Sequence, residues 1–232
     1  MPPGITIVGL GPGDPQLLTR RAWRVLEEAD EVWLRTSEHP VASGLPAGIE
    51  VHSFDEIYRR SPDFTSVYQQ IVEQVQALGR RVQGVVYAVP GDPAVGEATV
   101  QALLQDTSLP IETVHGVSFI EACMAALHQD ALDGLSVVDA LGLAARHHPP
   151  LSPDVPALVG QLYSTLVASD VKLCLMNQYP DDHPLRLVHA AGTAQQSVED
   201  LPLHRLDRSS RIGALTAVYV PPLKVPSAFE TF

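Results

Sequence analysis

Two apolar periods alternate along the chain. Ile5-Thr6-Ile7-Val8 and Val85-Val86-Tyr87-Ala88-Val89 are short runs rich in β-branched residues, the pattern of strands buried on both faces. Leu17, Leu18, Ala22, Val25 and Leu26 return at helical spacing behind Asp14-Pro15, which predicts a helix with Asp14 as N-cap and Pro15 at its first position. Tyr68, Ile71, Val72, Val75 and Leu78 do the same and predict an amphipathic helix over residues 65–78, stopped by Gly79. Short strands are predicted at residues 32–34, 49–52 and 111–114. Pro90 ends the strand of residues 85–89, because it has no N–H for the ladder. Asp92 as a cap with Pro93 behind it predicts a helix from there to about residue 105. The order β-α-β-β-α-β-α-β specifies a parallel sheet flanked by helices, a first domain of residues 1–115.

The pattern changes at Gly116-Val117-Ser118-Phe119. Ser118 suits an N-cap, with Glu121 as its capping-box partner, for a helix carrying Phe119, Ala122, Cys123, Ala126 and Leu127. Beyond it the periodicity predicts strands at residues 135–139, 172–176, 185–189, 199–205 and 215–220, and a helix at 156–166. Several connections are too short for crossover helices, so antiparallel pairs are expected. A second α/β domain therefore spans residues 116–222, and residues 223–232 read as a tail or linker. The fold class is α/β with two αβα domains, the first sheet mainly parallel and the second mixed.

The chemistry concentrates at turns. A buried strand opening through Pro90-Gly91-Asp92-Pro93 places backbone groups and a carboxylate at the carboxyl edge of a sheet, where open α/β sheets bind ligands. Gly9-Leu10-Gly11-Pro12-Gly13 has glycines at G-x-G-x-G spacing, and no acidic residue closes the following strand, which ends at Arg35; a nicotinamide site is excluded. Glu27-Glu28-Ala29-Asp30-Glu31 lacks a partner motif and reads as a solvated helix end. His147-His148 in a proline-rich loop has no third ligand, so no metal site is expected.

Composition narrows the classes. The 232 residues are 45% hydrophobic and 18% charged, enough for a sizeable core. A net charge of −12 argues against nucleic acid or an anionic membrane surface as partner, and no apolar run reaches the length of a membrane span. Cys123 and Cys174 sit apart in apolar surroundings and read as buried thiols, which with the absence of a basic-apolar leader points to the cytoplasm.

The turn at residues 9–15, Pro90-Gly91-Asp92-Pro93, Gly116-Val117-Ser118 and the stretch ending at Met176, in this order, resemble the tetrapyrrole methylase family, the class III S-adenosylmethionine-dependent methyltransferase fold. Lys172-Leu173, Tyr179-Pro180-Asp181-Asp182-His183-Pro184, Ala191-Gly192 and Tyr219-Val220-Pro221-Pro222 are similar to the N-terminal methylase-like domain of MazG-type (YabN-like) proteins, in which a helical nucleoside triphosphate pyrophosphohydrolase domain normally follows. The resemblance implies S-adenosylmethionine in the cleft between two domains, S-adenosylhomocysteine as product, and a homodimer. Carried onto this chain, it assigns cofactor contacts to Pro12, Pro90, Gly91, Asp92, Val95, Ser118, Phe119, Met176 and Gly192, with Asp92 accepting bonds from ribose hydroxyls or an ammonium group. Judged without the family, Met176 reads as a core residue. No catalytic residue is assigned.

Two positions depart from the family pattern. His115-Gly116 stands where the corrin and sirohaem branches have Pro-Gly, and Arg35 stands where the uroporphyrinogen branch has an acidic catalytic residue. Arg35 reads as a solvated arginine after an edge strand, or as an attractor of an anionic acceptor. Two functions are thereby implied: methyl transfer to a small or macrocyclic acceptor, or non-catalytic binding of S-adenosylmethionine or a nucleotide on behalf of a fused or separate MazG-type pyrophosphohydrolase. Removing a proton from a tetrapyrrole carbon requires a base within hydrogen-bond reach, and a guanidinium is not one. The chain is expected to leave uroporphyrinogen unmethylated when incubated with radiolabelled S-adenosylmethionine; product at ordinary enzymatic turnover would contradict this reading of residue 35.

Overall fold

The computed structural model describes residues 3–106 and 108–223. The expected tail lies, from residue 224 onward, outside the described residues. The chain divides into two compact units, Met1–Ala122 and Cys123–Phe232.

The first unit is built on five strands, β1 (Ile5–Gly9), β2 (Glu31–Leu34), β3 (Glu50–Ser53), β4 (Val85–Val89) and β5 (Ile111–Val114), in the order β3-β2-β4-β1-β5. All four pairings are parallel. Helices α1 (Arg20–Glu28), α2 (Asp55–Arg60), α3 (Phe64–Gly79) and α4 (Ala98–Leu104) lie in three of the connections, and a 3-10 turn, Pro40–Gly44, lies between β2 and β3. Alternation along each strand divides the core in two, as the pleat requires. Ile5, Ile7, Val85, Tyr87 and Val89 face one layer with Val67, Ile71 and Val75 of α3 and Val100 and Leu103 of α4. Val8, Val86, Ala88 and Val114 face the other with Ala22 and Leu26 of α1. All five residues of β4 are buried, as its unbroken apolar run predicts.

The helix starts differ from expectation. Asp14 caps only a 3-10 turn, Pro15–Leu17, accepting from the Gln16 N–H at 2.9 Å; α1 begins five residues later under Thr19, whose hydroxyl accepts from the Ala22 N–H at 3.2 Å. The helix expected from Asp92 starts at Ala98 instead. Gly96, at φ 71°, takes a left-handed conformation that breaks any helix begun at Pro93, and the Asp92 carboxylate is engaged elsewhere. Ser118 does open helix α5 (Phe119–Leu127): its hydroxyl accepts from the Ile120 N–H at 3.1 Å, while Glu121 Oε2 accepts from the Ser118 N–H at 2.9 Å.

The second unit holds a mixed sheet of β6 (Ser136–Asp139), β7 (Ala157–Gly160), β8 (Pro184–His189), β9 (Ser197–Pro202) and β10 (Thr216–Val220), in the order β6-β7-β10-β8-β9. Only β6–β7 is parallel. Short α6 (Ala140–Ala144) and α7 (Thr165–Leu175) pack beside each other.

Three expectations for this unit are corrected. The helix at residues 156–166 is strand β7, because Ala157-Leu158-Val159-Gly160 is a fully buried run between β6 and β10, and periodicity cannot separate such a run from a helix. The strand at 172–176 is the end of α7. Its Leu-Cys-Leu-Met alternation fits a strand only in that short window; over the whole segment Val167, Ala168, Val171, Cys174 and Leu175 line one buried helical face, with Leu166 and Leu173 exposed opposite. The strand at 199–205 ends at Pro202 and continues as a 3-10 turn, Leu203–Arg208. Both cysteines are buried free thiols, and burial pushes the Cys123 thiol up to about 12. Among the described residues no helix is long and apolar enough to cross a membrane, and no group of His, Cys, Asp and Glu could hold a metal.

The strands β1, β4 and β5 meet where Gly9, Gly91 and Gly116 touch. A Cβ on Gly9 would lie 2.6 Å from the Gly116 nitrogen and 2.7 Å from the Gly91 oxygen, and one on Gly116 would collide with that same carbonyl. Gly116→Ala is therefore expected to destabilise the chain by about 1–3 kcal/mol through overpacking against backbone, read as a lower urea midpoint at an unchanged slope.

Candidate functional site at the carboxyl edge of the first sheet

Three turns leave the carboxyl ends of β1, β4 and β5, and backbone bonds join two of them beyond the sheet. The Leu10 N–H donates to Val89 O at 2.9 Å, Gly11 N–H to Gly91 O at 3.0 Å, and Gly91 N–H back to Gly11 O at 2.8 Å. Asp92 ties in the third. Its Oδ2 accepts from the Gly116 N–H at 3.0 Å and lies 3.0 Å from His115 Nδ1; its Oδ1 accepts from the Ala94 N–H at 2.8 Å. The Asp92 side chain is 11% exposed, whereas the His115 side chain, at 73%, stands in solvent. Asp92 thus spends both oxygens on the protein.

The structure brings most of the expected residues to this edge. Pro12, buried, directly follows Gly11; half-buried Pro90 precedes Gly91; Val95 closes the Asp92 turn by donating its N–H to Asp92 O at 3.0 Å. A Cβ built on Gly91 would have Ser118 Cα at 3.8 Å and Phe119 N at 4.0 Å as its nearest neighbours, ordinary van der Waals distances, so the β4 turn lies against the start of α5. Met176 and Gly192 belong to the second unit. Met176 is the C-cap of α7, half-buried against that unit's core, and Gly192 sits in the loop after β8, its N–H donating to Gln196 Oε1 at 2.9 Å.

Beside the edge lies a polar cluster that the sequence did not reveal. Arg35 follows β2, which is an interior strand, and its side chain is only 17% exposed. The guanidinium donates to Glu97 Oε1 at 2.5 Å and to the Tyr58 hydroxyl at 3.0 Å, and stands 5.8 Å from the centre of the Tyr68 ring. Tyr87 and Thr99 share a hydroxyl bond of 2.9 Å nearby. The solvated arginine expected at residue 35 is instead a buried brace. Burial opposes the Arg35 charge, but the Glu97 carboxylate and the tyrosine oxygens outweigh it and hold its pKa above the ordinary value. Burial pushes Glu97 up to about 7, against the pull of Arg35. Glu97 Oε2 is sealed from solvent with no hydrogen-bond partner, so the carboxylate beside residue 35 is out of reach of an external substrate. The 62 residues between Arg35 and Glu97 explain why no local pattern exposes the pair; the one available signal was Tyr87, a hydroxyl inside an otherwise apolar strand that had to find a partner.

Glu97 gives the stability a pH dependence. Its folded pKa lies above the unfolded value of 4.5, so the folded chain holds more protons than the unfolded chain between that value and about 7. Stability contributed by this group falls as pH rises through that window. The difference in unfolding free energy between the native chain and Glu97→Gln is expected to shift against the native chain from pH 5 to pH 8, measured by urea denaturation at both.

Comparison with known proteins agrees with the architecture. The family model for Tetrapyrrole (Corrin/Porphyrin) Methylases matches residues 4–207. YabN of Bacillus subtilis (strain 168), an uncharacterized protein, is 37% identical over 229 residues, covering 95% of this chain and 45% of YabN. Siroheme synthase 1 of Halorhodospira halophila is 26% identical over 84% of this chain and 42% of its own length. The chain thus spans less than half the length of these relatives. Among solved structures, uroporphyrin-III C-methyltransferase from Thermus thermophilus superposes with a TM-score of 0.67 at 23% identity, over 94% of this chain and 91% of that one. The cobalt precorrin-4 methyltransferase CbiF does so with a TM-score of 0.66 at 20% identity, over 93% of both. With the family model covering nearly the whole described chain and the same two-sheet fold in the solved structures, this protein belongs to the tetrapyrrole methylase family.

Proposed function

We propose that the chain binds S-adenosylmethionine at the carboxyl edge of its first sheet and transfers the methyl group to a small or macrocyclic acceptor. The observation that carries this reading is the junction of the turns leaving β1, β4 and β5, where Gly11 and Gly91 exchange backbone bonds and Asp92 bonds to Gly116 at the carboxyl edge of the sheet. Gly91, at φ 64° and without a side chain, lets a ligand approach the main chain of this turn without a side-chain clash. Family membership supports the same cofactor, and the Thermus thermophilus methyltransferase has been solved in complex with S-adenosylhomocysteine.

When bound, S-adenosylmethionine supplies an electrophilic methyl on a sulfonium. The protein's own residues align and enclose. Gly116, packed on the Gly91 carbonyl, and Asp92, bonded to the Gly116 N–H, fix the turns against one another, and Ser118, tied to Glu121 Oε2 at 2.5 Å, fixes the start of α5. Methyl transfer depends mainly on alignment of the nucleophile with the methyl carbon, so a rigid, backbone-lined cradle without a buried base is chemically adequate. Met176 and Gly192 enter this reading only as contacts that the family resemblance implies.

A second reading rests on length. The chain matches 45% of YabN, so it corresponds to one part of a larger relative. In that setting it serves as a non-catalytic domain reporting S-adenosylmethionine or a nucleotide to a MazG-type pyrophosphohydrolase. Calorimetry with S-adenosylhomocysteine, followed by incubation of radiolabelled S-adenosylmethionine with a panel of small and macrocyclic acceptors, separates the two. Binding with label transfer is the expected result, binding without transfer to any acceptor favours the second reading, and no binding overturns both.

A further inference from the structure

We propose that His115 is a ligand-binding residue: its Nε2 accepts a hydrogen bond from a hydroxyl or ammonium donor of a nucleoside–amino-acid ligand held over Gly91. The proposal rests on the cofactor reading above and names a contact that reading does not contain. Its starting point is that Asp92, the obvious acceptor at the edge, is already committed to Gly116, Ala94 and the imidazole.

The tautomer follows from Asp92. An ionised carboxylate accepts and cannot donate, so the ring nitrogen 3.0 Å from Oδ2 must carry the proton. That nitrogen is Nδ1, and in the neutral ring the lone pair is therefore on Nε2. Nε2 has no partner among the described residues, and the side chain is 73% exposed. The main chain of His115 is also fixed, since the Thr19 hydroxyl donates to its carbonyl at 3.1 Å. Gly116, the next residue, packs against the Gly91 carbonyl and Gly9, so the main chain of His115 adjoins the meeting point of the three turns. An oriented acceptor of fixed tautomer, exposed beside that junction, is suited to a single N–H or O–H donor of a bound molecule. Asp92 then acts as the positioning residue, passing its acceptor role outward through the ring.

The test is calorimetry on the full chain with S-adenosylhomocysteine and with 5′-methylthioadenosine, which lacks the amino-acid portion, for the native protein and His115→Asn. The asparagine amide keeps a donor for Asp92 and removes the lone pair at the Nε2 position. A roughly tenfold weakening in His115→Asn is expected, the effect of one lost hydrogen bond to a ligand, with an unchanged urea midpoint. Weakening of both ligands supports a ribose hydroxyl as the donor, and weakening of S-adenosylhomocysteine alone supports the ammonium. Should the variant fail to fold, ¹⁵N spectra of the native chain decide: the Nε2 resonance of an Nδ1–H imidazole should move on addition of S-adenosylhomocysteine. Normal binding that His115→Asn leaves unchanged, or an Nε2 resonance that stays in place at saturation, overturns the proposal alone. Absence of binding to the native chain overturns the cofactor reading as well.

Discussion

The carboxylate of Asp92 holds together the part of the molecule where ligand chemistry is concentrated. Parallel strands end without the hairpins that secure antiparallel ones, so the turns beyond β1, β4 and β5 need bonds of their own to keep one arrangement. Two reciprocal backbone bonds between Gly11 and Gly91 join the first pair, and Asp92 bonds across to Gly116 for the third. The close contact of Gly9, Gly91 and Gly116 is both the condition and the result of this tie: only residues without Cβ let the carbonyl of Gly91 and the nitrogen of Gly116 approach so nearly. A carboxylate accepting backbone N–H bonds in a nearly buried place is a strong, directional link, and its loss would leave unpaired donors at the edge.

Arg35 and Glu97 form a second, different tie. It joins the end of β2 to the start of α4 across the same edge, with Tyr58 and Tyr68 packed about the guanidinium. Bringing both charges out of water costs several kcal/mol per ion before their attraction offsets it, and the unpartnered Glu97 Oε2 shows that the offset is incomplete. Such a pair fixes geometry more than it adds stability. The family position that carries an acidic group in the uroporphyrinogen branch is here occupied by a cation whose charge is spent inside the protein.

The two units solve the burial problem differently. In the first, crossover helices on both faces let every strand of the sheet run parallel, and β4 can be apolar throughout. In the second, β10 lies between β7 and β8, antiparallel to both, and a single core gathers residues of α6, α7 and the 3-10 turn Leu203–Arg208. Short connections between β8, β9 and β10 leave little room for helices there, which is why the sheet is mixed.

By itself the sequence determined the strands of the first unit and their parallel arrangement, but not where α1 and α4 begin or that β2 lies inside the sheet. Strand runs separated by amphipathic segments leave few alternatives once each connection is long enough for a crossover, and strand β5 falls on the expected residues 111–114. The Ser118–Glu121 capping box was likewise legible, because a cap is local chemistry, whereas the helix cap expected of Asp92 was not formed. Tertiary structure decided what local pattern leaves degenerate. Ala157–Gly160 and the end of α7 exchanged helix for strand because a short apolar run fits either, and only its neighbours in the sheet or helix layer choose. Long-range pairing made the larger difference at the site. Whether Asp92 faces a ligand or the protein depends on His115 and Gly116, more than twenty residues away in sequence, and whether Arg35 meets solvent depends on Glu97, 62 residues on. A side chain's type limits the bonds it can make; only the folded chain determines which partner is within 3 Å.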